Sequence, residues 1–158
     1  MDALIVVPLV VILFFLHYYL TDHDTPIDKD RKRFAEGIAL FESGDYTAAY
    51  AYFDQKIKEN RKSALAYEYR GKCNLEDGNL YSALYDFTEA LSFDNTLVEV
   101  HLKKGLVHYE LGEWNNAYLS LDKAVWFSRG ENADALHWRT VVYQQLHPAG
   151  ATEQYRKI

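Results

Sequence analysis

Pairs of histidines and pairs of acids are the residues in this chain whose spacing could do chemistry. His101 and His108 stand seven apart, a separation that puts two imidazoles on one face of a helix as potential metal ligands. No third ligand follows at a spacing that completes such a site. In the repeating pattern described below they take the places of Tyr67 and Asn74, which predicts helix packing instead. His137 and His147 lack a comparable pairing. Glu131 and Asp134 imitate paired acids, yet they lie where a polar loop enters a helix, and helix starts favour carboxylates. The phosphate-loop pattern GxxxxGK[ST] is absent, as are GxSxG and HExxH. Cys73 is the only cysteine, which excludes an internal disulfide and any Cys-based zinc site and fits a reducing compartment. The expectation is a protein without catalytic residues, metal or cofactor.

Composition points to a folded binding protein. The 158 residues are 49% apolar and 25% charged, and 13 Tyr with 8 Phe argue against disorder. A formal net charge of -6 leaves no cationic footprint for nucleic acid, so none is expected as a partner.

The elements that must position any binding side chains are visible as a repeat. FESGDYTAAYAYFDQKI, LEDGNLYSALYDFTEAL and YELGEWNNAYLSLDKAV follow one another at intervals of thirty-four. In register stand Gly37, Gly71 and Gly105; Gly44, Gly78 and Gly112; Ala49, Ala83 and Ala117; and Phe53, Phe87 and Leu121. Each unit reads as two amphipathic helices joined by a tight turn, the second glycine ending one helix and Asp45, Asn79 or Glu113 beginning the next. Small residues at the alanine positions let paired helices approach, and the Phe or Leu four residues on lies one turn further along the same face. A hairpin of this size cannot bury its own apolar face and must stack on its neighbours.

The period and these residues closely resemble the tetratricopeptide repeat, over about residues 28–130. The chain departs from that family at Arg33, Tyr67 and His101, where it favours Trp, and at Arg61, Asn95 and Arg129, where it favours Pro. The expected fold is an all-α solenoid of three full helix-turn-helix repeats (28–61, 62–95 and 96–129) and one degenerate repeat (132–158), preceded by a single transmembrane helix. Asn132 is the expected cap of the last unit's first helix, with Leu136, Trp138, Val142, Tyr143 and Leu146 on it and Ala151 and Tyr155 in register beyond Pro148. Thr25-Pro26-Ile27-Asp28 and Thr96-Leu97-Val98-Glu99 read as capped helix starts.

Ala3 to Leu20 carries no charged side chain and, at 1.5 Å per residue, makes a rod of about 27 Å. It is expected to be an uncleaved membrane anchor (1–20), since a signal peptide needs a cationic start and small residues at its cleavage site. Lys29, Arg31, Lys32 and Arg33 follow it, so the positive-inside rule puts the N-terminus outside and the repeats (26–158) on the cytoplasmic side. The linker, 21–25, is short enough to hold them against the bilayer.

In the family, the first helix of each unit lines an inner groove, and the resemblance places there Phe34, Ile38 and Phe41; Leu65, Tyr69, Lys72 and Leu75; Leu102, Lys103, Leu106 and Tyr109; and Leu136 and Tyr143. Much of this set is equally compatible with core between the units. Glu42, Glu76 and Glu110 recur beside it as an acidic rim. Such a groove suits an amphipathic helix or an extended segment of a protein partner, anchored by aromatics. Family members that grip the acidic tails of heat-shock chaperones use a clamp of cationic and amide side chains. The matching positions are Phe34, Ile38, Tyr69, Glu99 and Lys103, only the last cationic, so a chaperone-tail clamp is expected to be absent. The function expected is a membrane-anchored interaction module, scaffold or assembly factor. The alternative is an accessory structural subunit of an integral membrane complex, recognised mainly through its span.

Overall fold

The computed structural model describes residues 3–20 and 25–148. Its elements are α1 (Ala3–Leu20), α2 (Pro26–Arg33), α3 (Ala35–Glu42), α4 (Tyr46–Glu59), α5 (Ala64–Glu76), α6 (Leu80–Phe93), α7 (Val98–Glu110), α8 (Trp114–Phe127) and α9 (Ala133–Leu146). All described elements are helices, and each from α3 onward packs chiefly on its neighbours in the chain. Helices α3/α4, α5/α6 and α7/α8 form the three hairpins, and α9 stacks on α8.

The turn that closes each hairpin shows why the glycine recurs. Gly78 has φ of +72°, a left-handed conformation that costs a side-chain-bearing residue roughly 1 kcal/mol or more. With it in place, Gly78 N donates to Leu75 O at 3.0 Å and Asn79 N donates to Asn74 O at 2.8 Å. This pair of bonds satisfies carbonyls the helix end would otherwise leave bare. The same two bonds recur around Gly44 and Gly112.

The other glycine series serves close approach. A Cβ on Gly71 would sit 2.8 Å from the ring of Phe87 and 3.1 Å from Asp86 Cβ, so α5 and α6 meet at a distance only hydrogen allows. Ala49, Ala83, Ala117, Phe53, Phe87 and Leu121 are all fully buried. One apolar cluster runs from Phe34 through Phe53 and Phe87 to Val107, and a second joins Leu102, Leu121, Ala135 and Val142. Cys73 is fully buried, and burial, followed by the nearby Asp77 charge, pushes its thiol up to about 12. It packs as a small apolar side chain rather than acting as a nucleophile.

Helix starts follow local chemistry. Thr25 accepts from Asp28 N while Asp28 accepts from Thr25 N, a complete capping box with Pro26 at the first position. Asn132 accepts from Ala135 N at 2.8 Å as expected. Thr96 behaves differently: its hydroxyl donates to Asp94 Oδ1 at 2.7 Å, and α7 begins after Leu97 with no side-chain cap. The nearer carboxylate wins over the helix terminus. The first helix of the first unit is also broken, at Phe34, whose φ of -102° and ψ of 19° separate α2 from α3.

The expected membrane anchor requires correction. Among the described residues no helix is long and apolar enough to cross a membrane. Single-pass anchoring, the outside N-terminus and the cytoplasmic placement of the repeats therefore lose their basis. So does the accessory-subunit reading that depended on the span. Residues 21–24 of the expected linker lie outside the described residues, as do Ala151 and Tyr155 of the degenerate repeat.

Candidate functional site

The thirteen expected groove residues separate into two groups. Phe34, Leu65 and Leu102 are 2%, 1% and 4% exposed and belong to the two core clusters. They support the stack and do not face an incoming chain. Ile38, Phe41, Tyr69, Lys72, Leu75, Lys103, Leu106, Tyr109 and Leu136 are half-buried, and Tyr143 is exposed. This is the state a binding side chain needs, held on one side and open on the other.

Aromatic contacts hold the second group in place. Tyr69 stacks on buried Phe53 at 5.0 Å, and Phe41 meets Tyr69 edge-on at 5.6 Å and Tyr46 at 5.3 Å. Tyr109 sits edge-on between Trp114 and Trp138, both at 5.1 Å. Tyr143 rests against His147 at 4.4 Å and Tyr118 at 6.1 Å. The residues that the sequence reading missed here are Tyr46, Trp114 and Trp138. The first two open second helices, just after the turn, and a search confined to first helices passes over them.

The charges of this surface are arranged unevenly. Lys72 lies over the Tyr69 ring at 4.7 Å and donates to Glu68 one turn away. Lys103 reaches Glu99 at 3.6 Å, with both side chains substantially exposed, a pairing of roughly 0–1 kcal/mol. Glu42, Glu76 and Glu110 are exposed, and none of them enters an ion pair among the described residues.

The histidines are placed by packing and local bonds. His108 Nδ1 lies 2.7 Å from a Glu113 carboxylate oxygen. His101 is 4% exposed, stacks on Phe127 at 5.5 Å, and its Nε2 lies 2.9 Å from the Asn95 carbonyl. Burial holds the His101 pKa below its ordinary 6.5; the bond to Asn95 opposes this, and the Lys123 and Lys104 charges add to it. The unfolded chain therefore takes up this proton at a higher pH than the folded one, so protonation favours unfolding. The stability owed to neutral His101 is complete above pH 6.5 and declines as pH falls through the window just below. The expected result is a fall in Tm between pH 7.5 and pH 5 that shrinks in His101→Phe, which keeps the stack on Phe127 but cannot titrate. Equal falls in both proteins would refute it.

No family model matches the chain. It is 30% identical over 136 residues to human DnaJ homolog subfamily C member 7, across 83% of this chain and 26% of that protein, so it spans about a quarter of the relative's length. Among solved structures, the Arabidopsis OM64 TPR (tetratricopeptide-repeat) domain superposes with a TM-score of 0.68 at 21% identity, over 75% of this chain and 97% of that one. The first TPR of Spaghetti (RPAP3) bound to the HSP90 peptide SRMEEVD gives 0.67 at 14% identity, over 71% and 88%. The second TPR domain of human RPAP3 in complex with the HSP70 peptide SGPTIEEVD gives 0.64 at 21%, over 69% and 90%.

These complexes overturn the expectation that a chaperone-tail clamp is absent. That exclusion rested on five matched positions, and one of them, Phe34, does not belong among them. Phe34 lies in the core at the break between α2 and α3, so it has no place in a comparison of groove side chains.

Proposed function

On the premise that this chain folds as a tetratricopeptide-repeat stack, we propose that it is a binding module rather than an enzyme, holding an extended segment of a protein partner along its first helices as a scaffold or assembly factor would. The observation that carries this reading is the row of half-exposed side chains, Phe41, Tyr69, Leu75, Leu106 and Tyr109, each backed by core or by a second aromatic ring. Such residues lose little entropy on binding and bury much area, which makes them anchors.

The occupant best supported by the neighbouring folds is the C-terminal peptide of an Hsp90 or Hsp70 chaperone. Lys72 and Lys103 are the cations that would meet its acidic end. Each is held by a carboxylate on its own helix, and the weak Lys103–Glu99 pair yields easily to a peptide carboxylate. The acidic rim of Glu42, Glu76 and Glu110 repels acids placed on its side and so sets the peptide's direction.

Fluorescence anisotropy with labelled SRMEEVD tests this. Saturable binding is expected, weakened roughly tenfold or more by Lys72→Ala with Lys103→Ala, given about 1.5–3 kcal/mol per hydrogen bond to a charged group. Leu106→Glu, with helicity checked by circular dichroism, should remove it. Absence of saturable binding rules out the chaperone peptide, and binding indifferent to Leu106→Glu rules out the groove.

A further inference from the structure

Away from the groove, equivalent positions of the second and third units differ in charge. In the second unit Arg70 donates to Asp86 through Nε at 3.0 Å and Nη2 at 2.6 Å, and to Asp54 through Nη1 at 2.7 Å. Advancing each residue by thirty-four gives Lys104 for Arg70, Thr88 for Asp54 and Ser120 for Asp86. The same shift gives Lys123 for Glu89. The cation is kept, both of its carboxylate partners have become hydroxyl residues, and a further acid has become a second cation.

The geometry follows from that exchange. Lys104 Nζ donates to Thr88 Oγ1 at 2.8 Å, and Thr88 passes its own proton to the Leu84 carbonyl at 2.7 Å. Neither Lys104 nor Lys123 enters an ion pair among the described residues. Ser120 is 8% exposed, and its hydroxyl makes no hydrogen bond to another side chain or carbonyl among the described residues. All of these line one cavity of about 320 Å³ between α6, α7 and α8, together with Ser92, His101, Leu91 and Leu119. Asp122, next to Lys123 in sequence, is turned to Arg139 at 3.0 Å. Burial, and then the Lys123 charge, hold the Lys104 pKa below its ordinary value, since both disfavour the charged form.

We propose that this cavity binds a phosphoryl group carried on a polypeptide, the phosphate oxygens taking the place that the Asp54 and Asp86 carboxylates hold around Arg70. Two ammonium groups and a free serine hydroxyl supply donors to a doubly charged tetrahedral anion. Leu91 and the 61% exposed Leu119 offer apolar contact to the residues flanking it. An anionic bilayer is the poorer carrier, because a chain of net charge -6 is repelled by such a surface.

The test is an NMR titration of the labelled protein, following the amides of Thr88, Ser120 and Lys123. The probes are Ac-Ala-pSer-Ala-NH2, its unphosphorylated twin and inorganic phosphate. Saturable shifts are expected from the phosphopeptide and none from its twin. Lys104→Gln with Lys123→Gln should weaken the response roughly tenfold or more. Thr88→Asp with Ser120→Asp, which rebuilds the carboxylate pair of the second unit, should abolish it while the circular dichroism spectrum stays helical. No saturable shift, an equal response in the glutamine variant, or binding of inorganic phosphate without the phosphopeptide would each overturn the proposal.

Discussion

Asp86→Ala is expected to remove about 3–5 kcal/mol of folding stability, among the largest losses available to any single polar substitution in this chain. Asp86 is 1% exposed and accepts two hydrogen bonds from Arg70 and one from Asn74 at 2.8 Å. Burial lifts its pKa, against the pull of Arg70 and Asn74. Burial also opposes the charge on Arg70, but the bonds to Asp86 and Asp54 outweigh it and raise the Arg70 pKa. A guanidinium does not give up its proton under physiological conditions, so truncation at Asp86 strands a half-buried cation. Asp54 retains a hold on one nitrogen at 2.7 Å, which places the loss nearer the lower bound. Asp86→Asn, which keeps the size and one acceptor, should fall between. Urea denaturation followed by circular dichroism measures both, and a loss below about 1 kcal/mol for Asp86→Ala would show that the network is dispensable.

That network also marks where sequence reading stops. The period of thirty-four identified the hairpins because backbone requirements are local and invariant. The left-handed turns that close the three hairpins take glycine, at Gly44, Gly78 and Gly112, and the crossing of α5 with α6 takes Gly71 at the contact. The caps at Thr25 and Asn132 were legible for the same reason, since donor and acceptor lie three residues apart. Thr96 was misread because Asp94, two residues before it, is a better partner than the helix end, and choosing between neighbouring acceptors depends on loop geometry. The apolar composition of α1 marked a helix of the right bounds, whereas membrane crossing does not survive among the described residues.

Partition between groove and core was harder. Leu65 and Leu102 lie within one turn of half-exposed residues on the same helices, where a rotation of about 100° per residue decides which side each faces, and Phe34 sits at the break between α2 and α3. An ungapped repeat does not encode that rotation. Nor does any local motif reveal the cavity at Lys104 and Lys123, whose lining comes from three helices. Its signal was nonetheless present in the sequence, as the change from Asp54 and Asp86 to Thr88 and Ser120 at a spacing already recognised. Aligning the units against one another, and asking which charges lose their partners, recovers it.

The same logic makes Phe87→Ala a test of the architecture, with an expected cost of about 3–5 kcal/mol. Phe87 is fully buried, and its ring occupies the space that a side chain on Gly71 would enter, at 2.8 Å from the Cβ position. In the native protein Gly71→Ala should be destabilising by about 1–3 kcal/mol through overpacking, even though alanine is favoured over glycine within a helix by about 1 kcal/mol. Once the Phe87 ring is gone, the two tightest contacts of the added methyl disappear and only Asp86 Cβ at 3.1 Å remains, so most of the overpacking is relieved. Gly71→Ala is therefore expected to cost less in the Phe87→Ala background than in the native protein, by about 1 kcal/mol or more, a coupling of neighbours that independent sites do not show. A double-mutant cycle in urea reads it directly. Additive effects would mean that α5 and α6 separate to admit the methyl group, and that the close approach inferred at every unit is not what holds the hairpins together.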